Sequence, residues 1–318
     1  MKKIILSLAV VIMLFSCNKQ EDSITTTDGN TAEIAGKRGC YSDEHLKAQL
    51  AADPTLAQRM EEFELQSARA IANGRIVNGV LEIPVVFNVL YRTTAENISL
   101  AQIQSQIDVL NKDFNAANSD YNTANNPYSS VRANVGIRFV LDQVIRKSTT
   151  KSSWGTKDAM KKSTQGGLNP TSPTTKLNIW ICTIGGGILG YAQFPGGASA
   201  TDGVVLDGKY TGTTGTATAP FNLGRTATHE VGHWMNLRHI WGDATCGSDL
   251  VSDTPVHNAA NYGVPAVGHR STCTGTPLEM YMNYMDYTDD RGMYMFSAGQ
   301  KTRMLAIFAV GGSRASFR

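Results

Sequence analysis

Charge is scarce in this chain. Only 18% of its 318 residues are Asp, Glu, Lys or Arg, and 29 basic against 27 acidic side chains leave a formal net charge of +2. Ordinary globular chains carry about 25% charged residues. The shortfall excludes a disordered polyelectrolyte, and the lack of a basic excess excludes a dedicated nucleic-acid binder. Long apolar runs are missing as well. The single one, Ile4 to Phe15 behind Lys2 and Lys3, falls short of the ~20 residues that span a bilayer. Its form is that of a secretory signal over residues 1–16, which predicts export. There is no internal repeat, and the length exceeds the ~100 to 200 residues of one domain, so a main domain with an appendage is expected.

The junction Leu14-Phe15-Ser16-Cys17 resembles the lipobox of bacterial lipoproteins, whose cleavage leaves the cysteine as a lipid-bearing N-terminus. An ordinary signal peptide with an incidental cysteine is the other reading. On the first, Cys17 is the lipidation site, the polar stretch 17–36 is a tether, and the protein is anchored to the outer membrane or cell surface. Cys40, Cys182, Cys246 and Cys273 then remain in an oxidising compartment, with their pairing left open by the residues alone. Cys182 alternates with apolar neighbours in a strand and reads as an inert buried thiol.

Between Ser42 and Asn73 the pattern is helical, broken at Asp53-Pro54, where Asp suits an N-cap and Pro the first turn. Leu46, Leu50, Leu56, Met60, Phe63 and Leu65 form a stripe that can dock on another body. Residues 37–75 read as a helical prosegment and 76–318 as the main domain. That domain opens with a strand from Leu81 to Tyr91. Ser99 and Gln102 form a capping box for a helix in which Leu100, Ile103, Ile107, Leu110 and Phe114 recur at helical spacing. Strands are expected at Ile137 to Ile145, Leu177 to Cys182, Leu189 to Phe194 and Val204 to Leu206. A second helix begins after Pro220-Phe221-Asn222 with Asn222 as N-cap, followed by an irregular tail. This order predicts an α/β or α+β enzyme-like domain.

The second helix carries His229-Glu230-Val231-Gly232-His233, followed by Trp234-Met235-Asn236-Leu237-Arg238-His239. Two histidines four apart on a helix share a face and can share one metal, while Glu230 is rotated about 100° toward a water on it. His239 lies too far along for a continuous helix, so the chain must turn, and Asn236 is a residue that tolerates positive φ there. Three imidazoles and one open position describe a catalytic zinc site with Glu230 as general base.

This stretch resembles the extended zinc signature of the metzincins, and the flanking His239-Ile240-Trp241-Gly242-Asp243 resembles their pappalysin branch, of ulilysin and cytophagalysin type. The resemblance covers roughly residues 78–318. It implies a metzincin-type zincin: a mixed twisted sheet, an active-site helix and an irregular, loop-rich C-terminal subdomain. In Met282-Asn283-Tyr284-Met285-Asp286-Tyr287 it makes Met285 the Met-turn residue below the metal and Tyr287 the phenol that stabilises the transition state. It implies a Cys246–Cys273 disulfide and a substrate-binding edge strand at Tyr191, Ala192 and Gln193. The family usually has Gly where this chain has Asn236.

Several residues keep two readings. Asp243, Asp249 and Asp253 are spaced for a structural Ca²⁺ or for caps and turns. Asp289 and Asp290 select a basic residue after the scissile bond or are solvated turn carboxylates. Cys40 is a latency switch, as cysteines are in some metzincins, or a free thiol. The resulting expectation is an exported, lipid-tethered zinc endopeptidase made as a zymogen, acting on protein or peptide substrates and released by cleavage near Arg69 or Arg75. The alternatives are a non-catalytic peptide-binding surface lipoprotein and a zinc amidase acting on cell-wall peptides.

Overall fold

A computed structural model of the chain describes residues 36–72, 80–123 and 125–318. The signal segment 1–16, Cys17, the tether up to residue 35 and Arg75 lie outside the described residues. Among the described residues no helix is long and apolar enough to cross a membrane.

The chain begins with α1 (Ser42–Ala52) and α2 (Leu56–Ala72). The Asp53 carboxylate stops one and starts the other: it accepts from the Thr55 amide at 3.0 Å and pairs with Arg59 at 2.7 Å. Next come β1 (Leu81–Tyr91), α3 (Leu100–Phe114), β2 (Ile137–Ser148), β3 (Leu177–Ile181), β4 (Gly190–Ala192) and β5 (Val204–Leu206). The five strands form one sheet in the order β2-β1-β3-β5-β4. All neighbours run parallel except β4, which is antiparallel to β5 and occupies the edge.

A sheet of this kind is covered on both faces, which is why β1 and β3 read as near-continuous apolar runs. On one face α3 lays down Ile103, Ile107, Leu110 and Phe114, and α4 (Arg225–Trp234) lays down Ala227 and Val231, in one core with Val85, Phe87 and Ile179. Each large aliphatic side chain so buried contributes about 1.5–3 kcal/mol before entropy is counted. On the other face Leu90, Trp154, Met160, Trp180, Tyr191 and Val205 form a second cluster. Helix α5 (Ala298–Ala306) closes the loop-rich C-terminal part. Cys246 and Cys273 are disulfide-bonded there.

The structure departs from the sequence reading at several points: β2 runs on to Ser148, and of the expected α3 capping box only the Ser99 half forms, the Gln102 side chain donating instead to the Gly208 and Thr211 carbonyls. Helix α4 is capped by Gly224 at φ 77°, not by Asn222. The Asp290 carboxylate, from far along the chain, accepts from the amides of Leu223 at 2.7 Å and Arg225 at 3.3 Å, so a tertiary contact does what a local side chain was expected to do. The edge strand is shorter than Leu189 to Phe194. Helix α5 lies in the supposed irregular tail, although Ser297 and Gln300 spell the sequence pattern that announced α3 and here form the full reciprocal box.

Gly190 sets how closely α4 approaches the edge. A Cβ there would lie 2.9 Å from the Val205 carbonyl oxygen, 3.0 Å from Leu206 Cδ2 and 3.1 Å from Glu230 Cγ. Gly190→Ala is therefore expected to cost about 1–3 kcal/mol in urea denaturation. An unchanged midpoint would show that this approach is not tight.

Candidate metal centre and cleft

Helix α4 places His229 and His233 one turn apart on its buried face, and the helix ends at Trp234. Asn236 then takes φ 73°, the left-handed conformation that Asn accepts more readily than any branched residue. The chain turns, and His239 comes back over the helix end. The Nε2 atom of His233 lies 3.1 Å from that of His229 and 3.1 Å from that of His239. All three side chains are almost fully buried.

Each ring is oriented through its other nitrogen. His229 Nδ1 meets the Tyr284 carbonyl at 2.7 Å, His233 Nδ1 the Leu237 carbonyl at 2.8 Å, and His239 Nδ1 the Asp243 carboxylate at 2.5 Å. A carbonyl or carboxylate can only accept, so each Nδ1 carries the proton and each Nε2 turns a lone pair inward. Burial and the neighbouring imidazoles push His229 well below its usual range and His233 down to about 3, so both are neutral at any ordinary pH. Ligands about 2.0–2.1 Å from one tetrahedral ion stand about 3.3 Å apart, so the donor set fits a zinc ion.

Glu230, on the same helix, is buried beside this point. Burial raises its carboxyl to about 7, against hydrogen bonds from Ser42 and Cys40. The Ser42 hydroxyl donates to Glu230 Oε2 at 2.8 Å and the Cys40 thiol lies 3.5 Å from the same oxygen. The Cys40 sulfur and the histidine nitrogens all lie within 4.8 Å of one another, a fourth donor on the open side. Burial, and next the charge of Glu230, hold the Cys40 thiol well above its usual range.

Met285 packs under α4 opposite Gly232, whose added Cβ would stand 2.5 Å from the Met285 sulfur. Tyr287 places its ring edge-on to His239 and its hydroxyl 3.4 Å from the Cys40 carbonyl oxygen. Trp241, part of the flanking stretch after the third histidine, stacks on His239 with centroids 4.4 Å apart.

The outer edge of β4 is covered by residues 39–42. Leu189 donates to the Gly39 carbonyl at 2.8 Å, Tyr41 donates to the Gly190 carbonyl at 3.2 Å, and the Ala192 amide donates to the Ser42 hydroxyl at 2.9 Å. Tyr191 and Ala192 lie on this strand. Gln193 lies beyond it, with its side chain held by the Ala198 carbonyl and Thr201. Tyr191 points away from the edge to Asp158, so the strand offers its backbone and not these side chains.

The paired readings of the aspartates resolve differently. Asp243 orients His239, Asp249 accepts from Thr254 and the Val251 amide, and Asp253 accepts from Ser297 and the Gly299 amide. The three do not converge on one point: Asp243 faces an imidazole, and Asp249 and Asp253 are engaged by turn and cap donors, so a shared Ca²⁺ site is not supported. Asp290 is buried rather than solvated. It pairs with Arg38 at 2.5 Å, and Arg38 also reaches the Thr226 hydroxyl, the Thr288 carbonyl and the Phe221 ring face. Arg38 carries no signal in the sequence beyond its proximity to Cys40.

Comparison with known proteins agrees with this geometry. Residues 173–309 match the pregnancy-associated plasma protein-A peptidase family. An extracellular metalloprotease of Pyricularia oryzae is 36% identical over 261 residues, which are 76% of this chain and 81% of that protein. A second, from Coccidioides posadasii, is 35% identical over 242 residues, 72% of this chain and 77% of its own. Among solved structures, a promirolysin variant of Tannerella forsythia superposes with a TM-score of 0.81 at 38% identity, covering 88% of this chain and 97% of that one. Mature mirolysin of the same organism, in complex with a cleaved peptide, gives 0.73 at 41% identity and covers 76% of this chain and 96% of that one. The chain belongs to the pregnancy-associated plasma protein-A family of metalloproteases, the pappalysin branch of the metzincins.

Proposed function

We propose that this metalloprotease is an exported zinc endopeptidase, made latent and anchored through lipid on Cys17 until its prosegment, residues 37–75, is cut. The observation that carries the reading is the convergence of His229, His233 and His239 beside Glu230, at an edge strand whose outer side is filled by the chain's own residues 38–42. The relatives' names, extracellular metalloproteases, support export. The disulfide suits an oxidising compartment.

Zinc bound on the three Nε2 atoms would lower the pKa of a water there to about 7 and polarise a peptide carbonyl. Glu230 is buried, so it is a stronger base than an exposed carboxylate. It takes the water's proton as the oxygen attacks and hands it to the departing amine. Tyr287 donates to the carbonyl oxygen as charge gathers on it, at the position where its hydroxyl now faces the Cys40 carbonyl. Met285 forms the floor under the histidine pair. The outer edge of β4 aligns an extended substrate by backbone pairing, which accepts any sequence.

Latency follows from occupancy. Cys40 supplies a sulfur as fourth donor, Ser42 and Cys40 engage the base, and Tyr41 and Ser42 take the edge that a substrate needs. Arg38 fills the Asp290 pocket, and by that token the pocket receives a Lys or Arg side chain after the scissile bond.

Casein hydrolysis by the matured protein is expected to fall about 10²–10⁴-fold in Glu230→Ala, with zinc content unchanged; retained cleavage would remove Glu230 from the mechanism. Asp290→Asn keeps an acceptor for the α4 amides and removes the charge. For peptides with Arg after the cut, kcat/KM should drop about 100-fold while peptides with Leu there change little; parallel losses would make Asp290 structural only.

A further inference from the structure

Far along the prosegment, α2 makes a second, partly buried charge contact with the rest of the protein. Glu64, on α2, receives three donors, none of them from the prosegment. Arg303 Nη1 donates to Oε2 at 2.9 Å, Arg303 Nη2 to Oε1 at 2.5 Å, and Asn236 Nδ2 to Oε1 at 3.0 Å. Arg303 does not depend on Glu64 for its orientation. Its Nε donates to the Asn236 carbonyl at 2.7 Å, and its side chain is only 10% exposed. A guanidinium fixed at Nε, with a side-chain amide beside its fork, is a preorganised receptor for one carboxylate. The nearby Asp249 carboxylate is already engaged by Thr254 and the Val251 amide.

The path of the prosegment locates this receptor. Arg38 sits at Asp290, Cys40 at the imidazoles, Ser42 at Ala192, Gln49 at Gln193, Arg59 at the Gly196 carbonyl and Glu64 at Arg303. Asp290 stands at the N-terminal end of α4 and the Arg303 cradle just past its C-terminal end, with His229 and His233 between them. If the Asp290 pocket takes the residue after the scissile bond, the cradle lies on the side of the residues that precede it.

We propose that Arg303 and Asn236 form a subsite that, once the prosegment has left, binds the carboxylate of a Glu or Asp side chain several residues before the scissile bond. Glu64 holds that place in the latent chain. This rests on the reading above that residues 37–75 are released. The cradle is distinct from the Asp290 pocket and selects the opposite charge, so the enzyme favours substrates that are acidic upstream and basic just downstream of the cut. Because Asn236 is also the turn between His233 and His239, a ligand here bears directly on the residue that positions the third imidazole.

The test uses the wild-type protein matured by removal of its prosegment and peptides with Arg after the cut. A single Glu is moved through the third to eighth positions before the bond, each peptide paired with its Gln counterpart. One position should show KM about 10-fold lower for Glu than Gln with kcat little changed, an advantage that shrinks in 1 M salt and is lost in Arg303→Met. No position with more than a twofold difference, or an advantage that survives Arg303→Met, overturns the proposal. If neither peptide of any pair is cut, the peptidase reading is what fails. Fluorescence anisotropy with labelled peptides then decides the subsite alone: about 10-fold tighter binding of one Glu peptide supports it, and equal binding throughout overturns it. If Arg303→Met does not fold, the Glu and Gln series on the wild type still separates the two outcomes.

Discussion

Three imidazoles must meet at one buried point, and much of the structure around the site serves that constraint. Such a cluster is costly to bury unless every ring nitrogen has a partner. The outer nitrogens are satisfied by two carbonyls and a carboxylate from three separate places: Tyr284 beyond the disulfide-bonded loop, Leu237 in the turn, and Asp243 past the third histidine. Those acceptors fix the tautomers, and the tautomers leave the inner lone pairs to converge. The short α4, its end at Trp234 and the left-handed Asn236 are the backbone conditions for that convergence.

Few contacts are needed for one short segment to cover the site. An edge strand with a free side invites pairing, and residues 39–42 supply it. Their neighbours place an arginine on a buried carboxylate and a thiol among the imidazoles. Farther along, the α1–α2 pair adds Gln49 on Gln193, Arg59 on the Gly196 carbonyl and Glu64 on Arg303. Each contact is modest by itself. Together they fasten the segment at several separate places along its length.

Much of this is legible in the sequence because it is local. Histidines four apart with a glutamate between them need only a helix, and Asn236 needs only the recognition that a helix cannot reach His239. The break between α1 and α2 is written in Asp53-Pro54. What is illegible is tertiary. Gly224 caps α4 because Asp290, more than sixty residues later in the chain, satisfies the amides that Asn222 was expected to take. Asp243 looks like a cation ligand by spacing, yet its partner is an imidazole, a contact that exists only after the Asn236 turn has formed. Helix α5 is different: its capping box at Ser297 and Gln300 is local and readable, but the loop-rich stretch before it hides the helix. Arg38 has no pattern of its own, since its role comes from the depth at which Asp290 is buried.

The donor set around the histidine cluster distinguishes a latent zinc site from every other arrangement of these residues. Zinc-edge X-ray absorption of the full, uncut chain loaded with one equivalent of zinc reads that set directly. Three imidazole nitrogens and one sulfur are expected, with the sulfur replaced by oxygen once the prosegment is removed. A coordination sphere without sulfur in the uncut chain, or with fewer than three imidazoles in either form, would contradict it.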